Sequence, residues 1–263
     1  MARFVSVVAV AGLALAALAG CSNTDNTSNT DNTLGTVTAG SLTVCADSPY
    51  APFEFEDSSA PSGYSGFDVD ITGEVAKRLG LTQVVMDADF DALQSGAMLE
   101  AGTCDIGASA ITITDERKAN LDFTQPYYDS LQSLLVPKTL GAKSLADLAG
   151  KNIGVQTGTT GENYTNQNKP ADATVVSFPS DGEMWAALQA GQVDALLQDY
   201  PINKEHADND SVYEVVAKYP TDEQYGFALA KGQHTALLDA INTQLTAMRE
   251  DGTYDKIYDK YFA

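Results

Sequence analysis

An arginine near the middle of the chain has the chemistry and the surroundings to bind a carboxylate. Arg117 lies in "ASAITITDERK" (108–118), shortly after a run of small and hydroxyl side chains. A guanidinium presents a planar fork of N–H donors that fits both oxygens of a carboxylate. Thr112, and the backbone N–H groups of a helix predicted to begin near Thr159 and Thr160, could donate to the same anion. These residues predict an anion site, although each could also serve only its own helix or an acidic neighbour.

Two further kinds of residue complete a possible site for a small zwitterion. Asp199 directly follows the predicted strand 193–198, where its carboxylate could accept from an ammonium group or cap the next helix. Tyr50 and Phe90 follow other predicted strands, and their rings could enclose a ligand side chain or belong to the core. Buried charges need opposite charges. A cation, an anion and two flat apolar faces together indicate a free amino acid as the ligand.

Alternating strands and helices must bring these residues together. The first half predicts strands at 41–46, 82–86 and 104–109 and helices at 68–80 and 90–102. The second half predicts strands at 151–156, 173–178 and 193–198 and helices at 144–150, from Thr159 and at 181–191. This order is typical of an α/β fold in which each half has a mainly parallel sheet flanked by helices. Ligands of such sheets bind beyond the carboxyl ends of the strands, where the candidate residues lie.

The two halves are expected to form two lobes joined by a two-stranded hinge. The strand and helices predicted after residue 224 should pack back on the first half. Lobe 1 then comprises 41–129 plus 225–263, and lobe 2 comprises 130–224. Two chain crossings between the lobes permit closure about a hinge.

The first forty residues predict export and anchoring. Residues 1–20 contain a short apolar run that is typical of a secretion signal and too short for a membrane span. The "LAGC" ending at Cys21 resembles a bacterial lipobox, whose cysteine is lipidated after cleavage; the alternative is an ordinary signal peptide. Residues 21–40 hold this cysteine and then mostly Ser, Thr, Asn and Asp, so we expect a disordered tether. The expected location is the extracytoplasmic face of the cell membrane, with a lipid anchor.

Composition argues against several classes of partner. Acidic residues outnumber Lys and Arg by 36 to 15, and the formal charge of −21 repels nucleic acid and anionic membrane surfaces. We expect no nucleic acid partner, membrane contact only through the lipid anchor, and a monomer. "GVQTGTTG" (154–161) lacks the lysine of a phosphate-binding loop, and no metal-ligand spacing occurs, so no cofactor and no metal are expected.

Cys45 and Cys104 are the two cysteines outside the N-terminal segment. Disulfides persist in an exported protein. The two residues are predicted on neighbouring strands, where the geometry of a parallel pair restricts bridging. A disulfide between them and a pair of buried free thiols therefore both remain open.

Several stretches, taken in order, resemble one family of transport proteins. They are "LTVCADSPYAPFEFED", "GFDVDI", "ITITDERK", "LDFTQPYY", "GVQTGTTGENY" and "DGTYDKIYDKYF". From about residue 41 to the end, the chain is similar to the extracellular solute-binding proteins (family 3) of polar amino acid ABC importers. The resemblance implies a two-lobe periplasmic-binding-protein type II (Venus-flytrap) fold. It also implies a receptor that delivers an amino acid to the permease subunits of an ABC transporter.

The resemblance assigns roles to individual residues. In that family, the arginine of a T-x-x-x-x-R motif binds the ligand α-carboxylate, and here this motif runs from Thr112 to Arg117. The carbonyl of Ala110, Thr112 and Asp199 would accept hydrogen bonds from the α-amino group of the ligand. The two aromatic residues that enclose the ligand side chain in that family correspond to Tyr50 and Phe90 here. Ser109 and Thr160 match the family's ligand-binding positions less closely. The stretch "ALQSGAMLEAG" lacks the family's usual Ile-Pro, a departure that concerns a loop rather than a ligand group.

The ligand side chain and the enzymatic alternative are the open questions. Asp47, beside the aromatic pair, could take a cationic side chain, whereas Gln156 and Gln198 suit an amide. Relatives on the same fold include dehydratases of prephenate-like acids, which would need a general acid or base near the ligand. His206 and His234, the only histidines, are not at predicted strand ends, and neither Asp47 nor Glu162 is marked for this role. The expected function is therefore binding, with no catalytic residues.

Overall fold

The computed structural model describes residues 32–263, so the predicted signal peptide and Cys21 lie outside the described residues. The strands in this range are β1 (Ser41–Ala46), β2 (Phe55–Glu56), β3 (Tyr64–Ser65), β4 (Thr82–Asp87), β5 (Ile106–Gly107), β6 (Leu121–Phe123), β7 (Tyr128–Pro137), β8 (Asn152–Gln156), β9 (Thr174–Phe178), β10 (Ala195–Asp199), β11 (Tyr213–Tyr225) and β12 (Ala228–Ala230). The helices are α1 (Phe67–Arg78), α2 (Phe90–Gln94), α3 (Ala97–Glu100), α4 (Asp115–Lys118), α5 (Thr160–Asn168), α6 (Asp181–Gln189), α7 (Tyr200–Asn209), α8 (Thr235–Glu250) and α9 (Thr253–Phe262).

The first sheet has the strand order β4–β1–β5–β12–β6. β1 runs parallel to β4 and β5, whereas β12 runs antiparallel to β5 and β6. Helices α1 and α8 cover one face, because each carries an apolar stripe with helical spacing. The stripe of α8 is Leu237, Ile241, Leu245 and Met248. Helices α2 and α3 bury Phe90, Leu93 and Leu99 in a separate cluster with Cys45, and we call this sheet with its helices the first lobe.

The second sheet has the order β11–β7–β10–β8–β9 and forms the second lobe with its helices. β8 runs parallel to β9 and β10, whereas β7 runs antiparallel to β10 and β11. Successive residues of β7 enter different cores, as the period of a strand requires: Leu134 and Val136 pack in one cluster and Leu135 in the other. The α/β class predicted from the sequence is confirmed, but each sheet is mixed because both contain antiparallel strands.

Two adjacent strands connect the lobes. The chain enters the second lobe along β7 and leaves it along β11, and these strands pair in antiparallel fashion, with Glu223 opposite Ser130 and Tyr225 opposite Tyr128. The register between Tyr219 and Glu223 is irregular, so the regular ladder stops near the crossing. A pair of extended segments with an interrupted ladder is a suitable hinge.

One predicted helix is divided in two. The pattern predicts a continuous helix over 90–102, but α2 ends at Gln94 and α3 begins at Ala97. Gly96 between them has φ of 86°, in the left-handed region that ends helices. A Cβ at Gly96 would lie 3.1 Å from the side chain of Leu121, so packing against β6 also disfavours a larger residue here.

The predicted tether is shorter than expected. Residues 32–40 do not extend freely: the N–H of Val37 donates to Oδ1 of Asp105 at 2.5 Å, Thr36 is 4% exposed, and Leu34 packs against the first core. The low hydrophobicity of this segment predicts disorder, but the buried Asp105 carboxylate supplies a partner that the sequence pattern does not reveal. Residues 21–31 of the predicted tether lie outside the described residues.

Cys45 and Cys104 form a disulfide, with their Cα atoms 5.9 Å apart. Cys45 lies in β1, and Cys104 comes just before β5, so the bridge links neighbouring segments of the first sheet. Of the two states that the sequence leaves open, the structure therefore has the bridged one. Across residues 32–263, no helix combines the length and the apolar character that a membrane crossing needs.

Candidate functional site

A small cavity of about 10 Å³, with room for about one water molecule, lies between the two lobes. The lobes therefore lie close together, and a ligand larger than water enters only when they separate. The residues that line it come from the carboxyl ends of strands in both lobes, together with α4, α2 and the start of α5. They are Asp47, Tyr50, Phe90, Ser109, Ala110, Thr112, Arg117, Gln156, Thr159, Thr160 and Asp199, the same eleven residues that the sequence nominates.

Arg117 reaches the cavity from the short helix α4. The Oγ1 of Thr114 caps this helix by accepting from the N–H of Arg117 at 3.1 Å. The guanidinium donates from Nη1 to the carbonyl of Thr112 at 2.8 Å and from Nη2 to the carbonyl of Gly158, in the other lobe, at 3.0 Å. Its Cζ lies 5.3 Å from the ring centroid of Phe90. The cation is therefore held in one orientation against an aromatic face.

This buried cation has no carboxylate partner in the described part of the chain. Arg117 is only 6% exposed, yet it forms no ion pair within residues 32–263. Burial lowers its pKa to about 10, so the guanidinium still carries its charge at neutral pH. Three of its five N–H groups are used, by Thr112, Gly158 and a longer contact of 3.4 Å with Gln94. One N–H on each terminal nitrogen remains for an anion.

Asp199 is the opposite charge, at the end of β10 in the second lobe. Its Oδ2 accepts from the hydroxyls of Tyr225 at 2.5 Å and Tyr50 at 3.2 Å, and its Oδ1 accepts from Nε2 of Gln132 at 2.5 Å. Asp199 makes no side-chain cap to α7, so the capping alternative is not what the structure shows. Burial raises its pKa, while the three donors oppose this rise.

Behind Asp199 lies a second acid that the sequence did not single out. Glu223, on the hinge strand β11, accepts from Nε2 of Gln132 at 2.9 Å, and that amide also donates to Asp199. Burial and the charge of Asp199 raise the pKa of Glu223 to about 7. The side chain of Gln132, on β7, points into the site. Its contact with both acids depends on the pairing of two strands that are distant in the sequence, so the sequence pattern does not reveal it.

Asp47 and Gln156 meet across the cleft. The Nε2 of Gln156 donates to Oδ2 of Asp47 at 2.5 Å and to the carbonyl of Pro179 at 3.0 Å. Burial, with smaller contributions from Asp87, Asp89 and Asp181, raises the pKa of Asp47 to about 7, although the hydrogen bond from Gln156 opposes the rise. No lysine or arginine within residues 32–263 pairs with Asp47. This end of the cavity is therefore electronegative.

Ser109 and Ala110 form the wall of the cavity in the first lobe. The hydroxyl of Ser109 accepts from the N–H of Asp47 at 3.1 Å and contacts the carboxyl group of Glu54. Ala110 has φ of 45°, a left-handed conformation that is uncommon for a residue with a Cβ, and its N–H donates to Oδ2 of Asp68 at 2.9 Å. The carboxylates of Glu54 and Asp68 thus hold the backbone that faces the cavity. Both belong to the stretches that carry the family resemblance, but their side-chain roles were not predicted.

The start of α5 supplies hydroxyl and backbone donors from the second lobe. Thr159 caps the helix, with its Oγ1 accepting from the N–H of Glu162 at 3.0 Å. The hydroxyl of Thr160 lies 3.5 Å from that of Thr112 in the first lobe. Glu162 accepts from the N–H of Gly158 at 2.8 Å, so it stabilises this turn. The positive end of a nine-residue helix therefore points to the same side of the cavity as Arg117.

Gln198, which the sequence offers for an amide side chain, lies elsewhere, and so do the two histidines, which the sequence does not nominate. Gln198 donates to Asp181 at 2.8 Å and does not line the cavity. His206 contacts Asp181 and stacks on Trp185, and His234 contacts the carbonyl of Gly35, so neither histidine reaches the ligand space. Within the described residues, no cluster of His, Cys, Asp and Glu has the geometry of a metal site.

Comparisons with known proteins agree on one family. A sequence model described as "Bacterial extracellular solute-binding proteins, family 3" matches residues 42–263. The glutamine-binding protein GlnH of an ABC transporter of Bacillus subtilis is 38% identical over 199 residues, covering 74% of this chain and 72% of that protein. A probable histidine-binding protein of Neisseria gonorrhoeae is 34% identical over 229 residues, covering 84% of this chain and 82% of that protein.

A solved structure shows the same architecture. An ancestral arginine-binding protein bound to arginine superposes with a TM-score of 0.78 at 36% identity, covering 85% of this chain and 99% of that one. The curated relatives are named as binding proteins, which favours a binding role over the dehydratase alternative.

Proposed function

The chain belongs to the bacterial extracellular solute-binding proteins of family 3, and from this premise we propose that it captures a free polar L-amino acid and delivers it to the permease of an ABC importer. The observation that carries the proposal is a pair of buried, opposite charges without counter-ions. Arg117 in the first lobe and Asp199 in the second face one cavity, and neither forms an ion pair within residues 32–263. A zwitterion placed between them would satisfy both.

The carboxylate of the ligand is proposed to bind Arg117. One free N–H on each terminal nitrogen fits a bidentate carboxylate, and the hydroxyl of Thr112 can donate beside it. Thr159 and Thr160 add the donors at the start of α5. Because these groups come from both lobes, binding the carboxylate would favour closure.

The ammonium group is proposed to bind Asp199 and the carbonyl of Ala110. Asp199 is already held by three donors, so it need not reorganise when the cation arrives. Tyr50 and Phe90 are 8% and 7% exposed and line the space between the two charges, where their rings would enclose the side chain of the ligand.

The far end of the side chain is proposed to meet Asp47, Ser109 and Gln156. The cluster of acids around Asp47 favours a cationic or hydrogen-bond-donating group over an anionic one. Arginine is the ligand of one similar structure and glutamine that of one similar binding protein by name, and both carry such donors. A polar or basic L-amino acid is therefore the proposed ligand class.

The setting of the protein follows from the N-terminal sequence. Cleavage before Cys21 and lipidation of that residue would keep the monomeric receptor on the extracytoplasmic face of the membrane, near its permease. Metabolic labelling with a fatty acid tests the anchor: the label should be incorporated by the natural chain and lost in Cys21→Ser. Labelling of both chains, or of neither, would refute the anchor.

Calorimetric titration of residues 22–263 with the twenty common amino acids, ornithine, citrulline and prephenate tests the ligand class. We expect one or a few polar L-amino acids to bind with micromolar or tighter affinity, which corresponds to about −8 kcal/mol. The D-enantiomer of the tightest ligand is the control, since Arg117 and Asp199 fix the α-carbon between them. Binding of prephenate alone would instead support the dehydratase.

A further inference from the structure

Two carboxyl groups are buried behind the cavity wall without any cation beside them. Glu54 and Asp68 are both 0% exposed. Neither forms an ion pair with Lys, Arg or His within residues 32–263. The titratable groups that face them are Asp47, Tyr50 and Tyr127, of which none is a cation. Two ionised carboxylates in such surroundings would repel each other without compensation.

Each carboxyl group holds one of two consecutive residues of the cavity. Oε1 of Glu54 contacts the hydroxyl of Ser109, and Oδ2 of Asp68 accepts from the N–H of Ala110 at 2.9 Å. Asp68 also accepts from the hydroxyl of Tyr127 at 2.6 Å. The remaining oxygens, Oε2 of Glu54 and Oδ1 of Asp68, have no partner in the described residues. The carboxyl oxygens of Glu54 and Asp68 therefore outnumber the hydrogen-bond donors that contact them.

The contacts indicate which of the two carries a proton. Both contacts of Asp68 are with donors, an N–H and a phenol, which favour the ionised form. The only contact of Glu54 is a hydroxyl, which can accept as well as donate, so it suits a neutral carboxyl group equally well. Burial and the neighbouring Asp68 raise the pKa of Glu54 well above its usual value, against the contact with Ser109. Burial also raises the pKa of Asp68, but its two donors oppose the rise and the value reaches only about 7.

We propose that Glu54 and Asp68 share a single proton at neutral pH, carried by Glu54, and that this half-ionised pair positions Ser109 and Ala110 for the ligand. The role rests on the proposed function, because it matters to the ligand through the carbonyl of Ala110. The charge of Asp68 holds Ala110 in its left-handed conformation, with φ of 45°. A second negative charge on Glu54 would weaken that arrangement, so the proton keeps the wall of the cavity in place.

The dependence of thermal unfolding on pH tests the proton. Folding the natural chain requires uptake of this proton above the usual glutamate pKa of 4.5, whereas Glu54→Gln needs none. We expect the melting temperature of Glu54→Gln to rise relative to the natural chain as the pH increases from 4.5 to 7. The difference corresponds to up to tenfold in the folding equilibrium constant per pH unit. The exposed Glu100→Gln is the control, and a difference for Glu54→Gln that does not depend on pH would overturn the proposal.

Infrared spectroscopy locates the proton directly. The spectrum of the natural chain minus that of Glu54→Gln at pH 7 should contain a carboxylic acid C=O band, because the bands of Asp47 and Glu223, whose pKa values are also raised to about 7, cancel in this difference. If Glu54→Gln does not fold, Ser109→Ala serves instead, because loss of the hydroxyl must shift the band of a neutral Glu54. A band that survives in Glu54→Gln and disappears in Asp68→Asn would place the proton on Asp68 and refute the assignment.

Affinity separates the positioning role from the proposed function. With L-arginine and L-glutamine as probes, Glu54→Gln should keep the affinity of the natural chain within about threefold, since an amide can replace a neutral carboxyl group. Glu54→Leu, which cannot contact Ser109, should lose at least about tenfold. Equal affinities in both variants would refute the positioning role. If no amino acid binds the natural chain, the proposed function fails, while the melting and infrared results still decide where the proton lies.

Discussion

At the scale of single residues, the guanidinium of Arg117 determines what the cavity can hold. It is buried, it keeps its charge, and its three intramolecular contacts are to uncharged groups. A neutral ligand would leave that charge uncompensated. The site therefore selects for an anion before any feature of the ligand side chain matters.

Replacing Arg117 by alanine should abolish binding while the fold remains intact. Two charge-assisted bonds of roughly 1.5–3 kcal/mol each would be lost, a decrease in affinity of at least about 100-fold. Calorimetry with the best ligand measures the decrease, and circular dichroism checks the fold. Lys118→Ala, the adjacent and more exposed cation, is the matched control and should bind normally. Unchanged affinity in Arg117→Ala would rule out the assigned carboxylate site.

Asp47 should make the affinity for L-arginine depend on pH. Its pKa in the free protein is raised to about 7, so a cationic side chain must displace a proton below that pH. The affinity for L-arginine should fall by up to about tenfold per pH unit as the pH decreases below 7. L-glutamine, whose side chain is neutral, should show a weaker trend, and Asp47→Asn should flatten the L-arginine profile. An L-arginine profile that is unchanged by Asp47→Asn would mean that Asp47 does not meet the side chain.

At the scale of elements, the segment 32–40 behaves as part of the first lobe. The N–H of Val37 satisfies Oδ1 of Asp105, whose other oxygen accepts from the N–H of Thr43 in β1 at 2.6 Å. One short segment therefore completes the partners of a fully buried carboxylate next to the central strand.

Removal of residues 32–40 should destabilise the folded domain. Loss of one partner of a buried carboxylate costs about 1–3 kcal/mol. For a domain of this length, each kcal/mol lowers the melting temperature by about 2–4 °C. A chain beginning at residue 41 should therefore melt several degrees below one beginning at residue 32. Identical melting curves would show that the segment is a tether after all.

The elements that the sequence predicts well are those with a local cause. Helix α1 has apolar residues at helical spacing and ends just before Gly80, and the parallel strands β1, β4 and β8 are short runs that contain Val or Ile. The break at Gly96 and the long hinge strand β11 were missed. In both cases the cause lies far along the chain: Leu121 packs against Gly96, and β7 pairs with β11.

The same distinction applies to the cavity. Its eleven lining residues could be nominated because ligand groups in such sheets follow strand ends, a rule that is local in sequence. The groups that hold them could not, because Gln132 and Tyr225 reach Asp199 from the hinge strands, and Asp68 reaches Ala110 across 42 residues. Glu223 in turn accepts from Gln132. Partners of buried polar groups depend on which distant elements meet, and a single sequence does not contain that information.

At the scale of the whole molecule, several contacts join the lobes around the cavity. They include Asp47 to Gln156, Tyr50 to Asp199, Arg117 to Gly158, Thr112 to Thr160, and Pro49 close to Gly182. All lie on the cavity side, whereas the strands β7 and β11 lie at the hinge. Opening of the lobes would break the polar contacts together, which is the basis for cooperative closure on a ligand.

Trp185 should report this closure. It is the only tryptophan in the sequence, it stacks on His206 with ring centroids 4.2 Å apart, and Pro49 and Ala51 of the first lobe line the same groove. A change in lobe separation alters the exposure of its indole, so saturating ligand should change the emission spectrum. Arg117→Ala should give no change, and Trp185→Phe should remove the signal. An unaltered spectrum with a ligand that calorimetry shows to bind would exclude movement at this groove.

The acids that surround Asp47 have a consequence for the speed of capture. Asp87, Asp89 and Asp181 contribute negative potential at one end of the cavity, on a chain whose formal charge is −21. Such a field attracts a diffusing cation before any contact forms, and its reach shrinks to about 8 Å at physiological ionic strength. For a basic amino acid the encounter rate would fall as salt is added, while the dissociation rate would change little. In a dilute, low-salt medium, this protein would therefore collect a cationic nutrient faster than an equally tight but neutral one.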